Sequence, residues 1–354
     1  MERVDYLIVG QGIAGSCLAL ELLGRGRSVM VVDRPQPRSA SRVAAGLFNP
    51  VTSKVRTSTW MAESLFPFLH RFYDQAQVRV GGRFFFPMTM YRPFPAAEDV
   101  KVWSEISNPF VRQVHRQSAF GESVRDGFGG LELTGSGFCD TSEFLTQVRK
   151  YLEEQGRWKE GLADPSACAP DEAYRWDGVS ADRVIWCEGV AASDHPLFGW
   201  LPIRRLKGEV LTVESSLRRD MLFNRGVYLV PDMRSEVRFR VGATYSHTTE
   251  TGNSEAGLTE LRTRLDRLIA LHYSEKGADW GFRPTTPDRR PVLGPHPAAG
   301  RHWIFNGLGT KGVSLAPWFA AHLASALETG TPMMEDVHIR RFYPLYFKSL
   351  QDPR

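Results

Sequence analysis

The chain is poor in the features that mark specialised classes. Only 4 of its 354 residues are cysteine, and Cys17, Cys139, Cys168 and Cys187 form neither a CxxC pair nor a metal-like spacing. That sets aside a disulfide scaffold and a cysteine-built metal centre, and reduced thiols in the cytoplasm are the expectation. No apolar run approaches the roughly 20 residues of a membrane helix, so no membrane partner is expected. The first strand is expected to begin by Val4, so no signal peptide is expected. Charge of one sign is scarce as well: 44 basic against 40 acidic residues leave a net +4, too small a bias to argue for nucleic acid. Internal repeats and low-complexity linkers are absent. With 42% hydrophobic and 24% charged residues, the composition is that of a globular protein with a sizeable core.

What the chain does have is ordered segments of two kinds. "YLIVG" and "SVMVV" read as buried parallel strands, being continuous β-branched and apolar runs. Ile13 to Leu23 reads as the helix between them, stopped by Gly24 and Gly26. In 58–76, Met61, Leu65, Phe68, Leu69 and Phe72 fall on one helical face. "DTSEFLTQVRKYLEEQG" opens on a capping box of Asp140 with Glu143. "RVIWCEG" is a further short buried strand. "GRFFFPMTMYR", "KGEVLTVES", "GVYLVPD" and "VRFRVGATY" read as strands of a second sheet. Helices are expected near 256–276 and 314–328, the last stopped by Gly330 and Pro332. The pattern predicts an α/β and α+β chain. A Rossmann-like nucleotide domain is assembled from 1–57, 136–200 and 286–354, and a substrate domain on a mainly antiparallel sheet from 58–135 and 201–285.

Gly10, Gly12 and Gly15 supply GxGxxG directly after a strand and at the opening of a helix. The first allows a tight turn, the second admits a pyrophosphate against the backbone, and the third lets helix pack on strand. Ile13 and Ala14 carry the N–H groups that would face the phosphates. Asp33 closes the second strand, placed to accept hydrogen bonds from a ribose, and Arg34 follows it. NAD and FAD share this unit. Ser41, Arg42, Ala44, Ala45 and Gly46 lie in "SASRVAAGLFNP", where small residues permit close backbone approach. Gly189 ends the "RVIWCEG" region, and "FNGLGTKGVSLAP" is a second glycine-rich entry to a helix.

Together these pieces resemble the D-amino-acid oxidase/glycine oxidase family of FAD enzymes, with their ASxAAAG and GxGxxGxxxAP segments. "GFRPTTPDRRPVLGP" resembles that family's GxRPxTxDxxPxIG motif, the most specific single match. The resemblance runs from Val4 to about Leu327 and leaves "RRFYPLYFKSLQDPR" as a tail without a role. It implies a glutathione-reductase-like fold and non-covalent FAD. The late loop of Gly307, Gly309, Thr310, Lys311 and Gly312 would lie beside the flavin ring, with Lys311 either steadying its charge or simply solvated. Arg283 would fork onto a substrate carboxylate, the alternative being a structural pair with Asp288. Tyr228 would assist it or pack on the sheet; Tyr245 and His247 are weaker candidates.

The implied reaction is oxidation of the C–N bond of an amino acid or N-substituted glycine by hydride transfer to flavin, then imine hydrolysis. Molecular oxygen is the implied acceptor, although a dehydrogenase would share these motifs. One departure stands out: glycine oxidases often carry arginine in the late loop, where Thr310 and Lys311 stand here. That loop and "RRLKGEV" are similar to the oxidase half of the bifunctional tRNA wobble-uridine enzymes of the MnmC type, which makes removal of a carboxymethyl group from tRNA the alternative. A flavin-binding protein without turnover and a nicotinamide dehydrogenase complete the readings. Phe84, Phe85, Phe86 and Tyr91 are expected in the core rather than around a substrate.

Overall fold

The computed structural model describes residues 1–34, 36, 38–52, 57–165 and 172–351. Two large sheets organise it. In the first, strands Val292–His296, Ala299–Asn306, Val179–Trp186, Glu2–Val9, Val29–Asp33 and Trp158–Glu160 lie side by side in that order. All pairings along this path are parallel except that between the first two. Both faces are covered, which explains the continuous apolar runs. Ile8, Val29, Val31 and Ile185 pack to one side, and Leu7, Val9, Met30, Val32, Val184 and Trp186 to the other.

Helices Ile13–Gly24, Thr141–Glu154 and Gly312–Thr329 bury their apolar faces in the first of these cores. Helix Ala62–Val80 joins them, and its Tyr73 hydroxyl donates to Val313 O at 3.1 Å. This helix, from a segment expected under the second sheet, therefore packs under the first.

The second sheet has eight strands, in the order Tyr273–Thr285, Arg204–Ser215, Arg238–Gly242, Tyr228–Pro231, Leu222–Asn224, Met90–Pro93, Gly130–Leu133 and Val111–His115. Its pairings are antiparallel except Leu222–Asn224 with Met90–Pro93. Helix Glu255–Asp266 covers one face; the other looks toward the first sheet.

Two expectations need correction. "GRFFFPMTMYR" is not one strand: Phe85–Pro87 joins a small three-stranded sheet with Leu47–Phe48 and Gly137–Cys139, while Met90–Pro93 enters the large one. Pro87 supplies no N–H to continue a ladder. The helix expected to reach residue 276 stops at Asp266, because the Leu268 carbonyl is taken by Arg125 N–H and Ala270 N–H turns to Ser123 O. The tail, too, has a place: Ile339 is buried in the first sheet's core, and Arg341 donates to Asp288 at 2.8 Å. Cys17, Cys139 and Cys187 are buried free thiols; Cys168 lies outside the described residues.

Candidate active site

The first sheet's parallel strands end together, and a cavity of about 790 Å³ opens where their carboxyl ends meet the second sheet. Gly10, Gly12, Ile13, Ala14, Asp33, Arg34, Ser41, Arg42, Ala44, Ala45, Gly46, Gly189, Gly309, Thr310, Lys311 and Gly312 line it, with Arg283, Tyr228 and Tyr245 at the other end. Gly15, Gly307 and His247 do not; His247 is exposed. Gly15 works behind the wall, where a Cβ would come within 2.0 Å of Gly10 O. Gly10 has φ of +99° and would drive a Cβ to 2.6 Å from Cys187 O. The turn therefore needs glycine for both dihedral and space.

Around this turn the polar groups are already ordered. Ser41 Oγ accepts from Ile13 N at 3.1 Å, and the other N–H groups of that helix start have no partner within the helix. Asp33 is pushed above the ordinary carboxylate range by burial, while the Gln11 backbone N–H and the Arg42 and Arg149 charges pull it back. Thr141 Oγ1 donates to Ala44 O at 3.3 Å, and Asn306 Nδ2 to Gly189 O at 2.8 Å, tying together the loops that form the walls.

At the other end, four neighbouring strands present Arg283, Gly208, Gly242 and Tyr228. A Cβ on Gly208 would sit 1.9 Å from the Arg283 guanidinium, and one on Gly242 would sit 2.4 Å from the Tyr228 hydroxyl. Both large side chains thus lie flat across a glycine floor. Arg283 Nη1 donates to Thr244 O at 3.2 Å, and its guanidinium lies 5.1 Å from the Tyr245 ring. Among the described residues it pairs with no carboxylate. Asp288, its expected structural partner, is held by Arg341 instead. Burial raises the Tyr228 phenol above its ordinary value; the nearby Arg283 and Arg240 charges and an Ala45 backbone N–H oppose that. Lys311 donates to the Thr59 hydroxyl, and burial with the charges of Arg290 and Arg289 lowers its pKa.

Sequence reasoning missed several groups. Arg240 braces the 43–44 backbone, donating to Val43 O and Ala44 O, and only its alternation with Arg238 along a strand hinted at this. Trp280 lines the cavity just before the GFRP motif. Glu188 also lines it, standing immediately after a buried apolar strand; an acid at that position was the available signal. Phe84, Phe85, Phe86 and Tyr91 are all buried and do not line the cavity.

A family model for FAD dependent oxidoreductases (DAO) matches residues 5–326. The chain belongs to that family. It is an FAD-dependent oxidoreductase by family. A bifunctional ThiO/ThiG protein of Trichormus variabilis is 26% identical over 96% of this chain and 55% of its own length. A bifunctional MnmC protein of Idiomarina loihiensis, named for tRNA 5-methylaminomethyl-2-thiouridine biosynthesis, is 25% identical over 98% of this chain and 59% of its own. The chain thus spans little more than half the length of these relatives. Among solved structures, glycine oxidase from Geobacillus kaustophilus superposes with a TM-score of 0.75 at 20% identity, over 97% of this chain and 98% of that one.

The cavity fits the cofactor. A glycine turn free of Cβ atoms faces a helix start, Asp33 closes the neighbouring strand, and one continuous space runs from there to the Gly309–Gly312 loop and Arg283. Among the described residues no helix is long and apolar enough to cross a membrane.

Proposed function

We propose that the chain oxidises the C–N bond of a small amino acid or N-substituted glycine. The observation that carries this is Arg283: a guanidinium in the cofactor cavity with, among the described residues, one backbone partner, no carboxylate of its own, and a phenol beside it. Such a fork matches an acid group bidentately, and Tyr228 adds a hydroxyl from the same face of the sheet. Non-covalently bound FAD, held between the Gly10–Gly15 turn and the Gly309–Gly312 loop, would supply a two-electron, hydride-accepting group for the carbon next to nitrogen. The chain's own residues do the positioning. Arg283 and Tyr228 hold the acid group and so fix which C–H faces the cofactor. Lys311 and the start of helix Gly312–Thr329 place positive potential at that end of the cavity. The imine product would then hydrolyse in water, with molecular oxygen as the terminal electron acceptor.

Anaerobic mixing with a panel of amino acids and N-substituted glycines tests the reading: carboxylate-bearing amines should bleach the flavin absorbance. Arg283→Met should raise KM for these substrates about 100-fold, the loss of a charge-assisted pair worth roughly 3 kcal/mol. An unchanged KM would refute the positioning role.

A second reading, oxidative trimming of a carboxymethyl group on a tRNA uridine, is favoured by the MnmC likeness and by Arg34, Arg38 and Arg42 along the cavity wall. Bleaching by bulk tRNA, with none by free amines, would select it.

A further inference from the structure

Glu188 is a carboxyl in an unusual place. It follows the buried strand Val179–Trp186, and a Cβ on Gly10 would lie 3.3 Å from Glu188 Cα. It therefore sits directly against the first glycine of the phosphate-binding turn. The side chain lines the cofactor cavity, yet Oε2 is sealed from solvent and has no hydrogen-bond donor among the described residues. No arginine or lysine of the described residues pairs with it. The Nε2 of His195 lies 3.7 Å away, itself buried and without a hydrogen-bond partner among the described residues.

His195 cannot supply a compensating charge. Its Nδ1 accepts the N–H groups of Leu197 at 3.0 Å and Phe198 at 3.3 Å, so the ring proton resides on Nε2. The ring packs 4.4 Å from Trp186, and burial with the neighbouring His302 and His296 lowers its pKa to about 4. A neutral imidazole thus faces a carboxyl that burial pushes up to about 7. The other titratable groups nearby do not neutralise it: Cys187 is a buried thiol, Asp33 across the cavity is an acid, and Asp194 on the following turn is paired with Arg205. The chemistry that must occupy the facing turn is a pyrophosphate, itself an anion. An anion at this turn would raise the cost of a second negative charge on the adjoining buried Glu188, and the carboxyl is the one that can take a proton.

We infer that Glu188 is a proton-linked cofactor contact: its acid form is the one that coexists with the FAD pyrophosphate, so binding draws one proton from solvent onto this carboxyl. The inference concerns the cofactor end of the cavity and holds whether or not the amine reading does. Above neutrality the unliganded protein carries Glu188 ionised, and each further pH unit weakens FAD binding by up to tenfold. Below it, affinity is level.

The test measures FAD dissociation from the full-length holoenzyme by fluorescence on dilution between pH 6 and 9. It adds calorimetric titration of the cofactor-stripped protein at pH 8 in buffers of different ionisation enthalpy. Wild type should lose affinity as pH rises and take up close to one proton per FAD. Glu188→Gln should bind with a pH-independent constant and take up none. ADP, which carries the pyrophosphate without the flavin, should reproduce the uptake in wild type. Proton release, zero uptake in wild type, uptake with FAD but not ADP, or an unchanged pH profile in Glu188→Gln would each overturn the inference. The wild-type measurements decide it even if the variant does not fold.

Discussion

Gly208 shows how much a single side chain of one hydrogen can decide. It lies under Arg283, and the 1.9 Å gap to an added Cβ leaves no room for alanine unless the guanidinium moves. The residues flanking it, Lys207 and Glu209, are buried on the opposite face and approach each other at 3.6 Å. The strand itself is therefore pinned. Gly208→Ala should displace Arg283 while leaving the fold intact, raising KM for carboxylate substrates about tenfold or more with little change in melting temperature. Steady-state kinetics beside a thermal melt check this; an unaltered KM would mean that Arg283 does not hold the substrate. The motif made Arg283 visible in the sequence, but the glycine floor was not. Gly208 and Gly242 lie on different strands, and only the register places each beneath a large side chain. Glu188 was hidden for a similar reason, since its meaning depends on Gly10 facing it from a neighbouring strand.

Secondary-structure elements were legible where local chemistry decides them. Asp140 accepts from Glu143 N at 3.1 Å, and the helix it opens runs Thr141–Glu154. Helix Gly312–Thr329 ends at Gly330 in the left-handed region with φ of +66°. Where tertiary contacts decide, local reading failed. Nothing between Arg267 and Leu271 is a helix breaker; what ends that helix is a backbone bond from the 125 loop, more than a hundred residues away in the chain. Asp140 permits a test at this scale. Its carboxylate satisfies an orphan N–H at the start of a helix whose Phe144, Leu145, Val148 and Leu152 are all core residues. Asp140→Ala should cost about 1 kcal/mol of stability, read as a lower urea midpoint at unchanged slope. Asp140→Asn should restore most of it. Equal losses in both variants would point to the 3.8 Å contact with Arg234 rather than the cap.

At the scale of the whole molecule, the sequence order of elements places the cofactor cavity where the two sheets meet, and burial there makes folding sensitive to pH. His195, His296 and His302 lie together between the strand layer and the tail. Burial lowers all three, the first two to about 4. In the window between the unfolded value of 6.5 and the folded value of about 4 for His195 and His296, the unfolded chain binds protons that the folded chain refuses, and His302 is shifted the same way, so stability falls as pH falls. Glu188 works the other way. With a folded value of about 7 against 4.5 unfolded, it holds a proton in the native state and loses stability as pH rises through that range. Each net proton changes stability by about 1.4 kcal/mol per pH unit. His195 and His296, with His302 shifted in the same direction, outweigh one carboxyl, so the cofactor-free protein should weaken on acidification from pH 6.5 to 5. Glu188→Gln removes the opposing contribution and should make that acid loss steeper. Urea midpoints at several pH values measure both slopes. A flat wild-type profile would show that the histidine cluster is charged in the folded state, and a shallower slope in the variant would remove Glu188 as a native-state proton carrier.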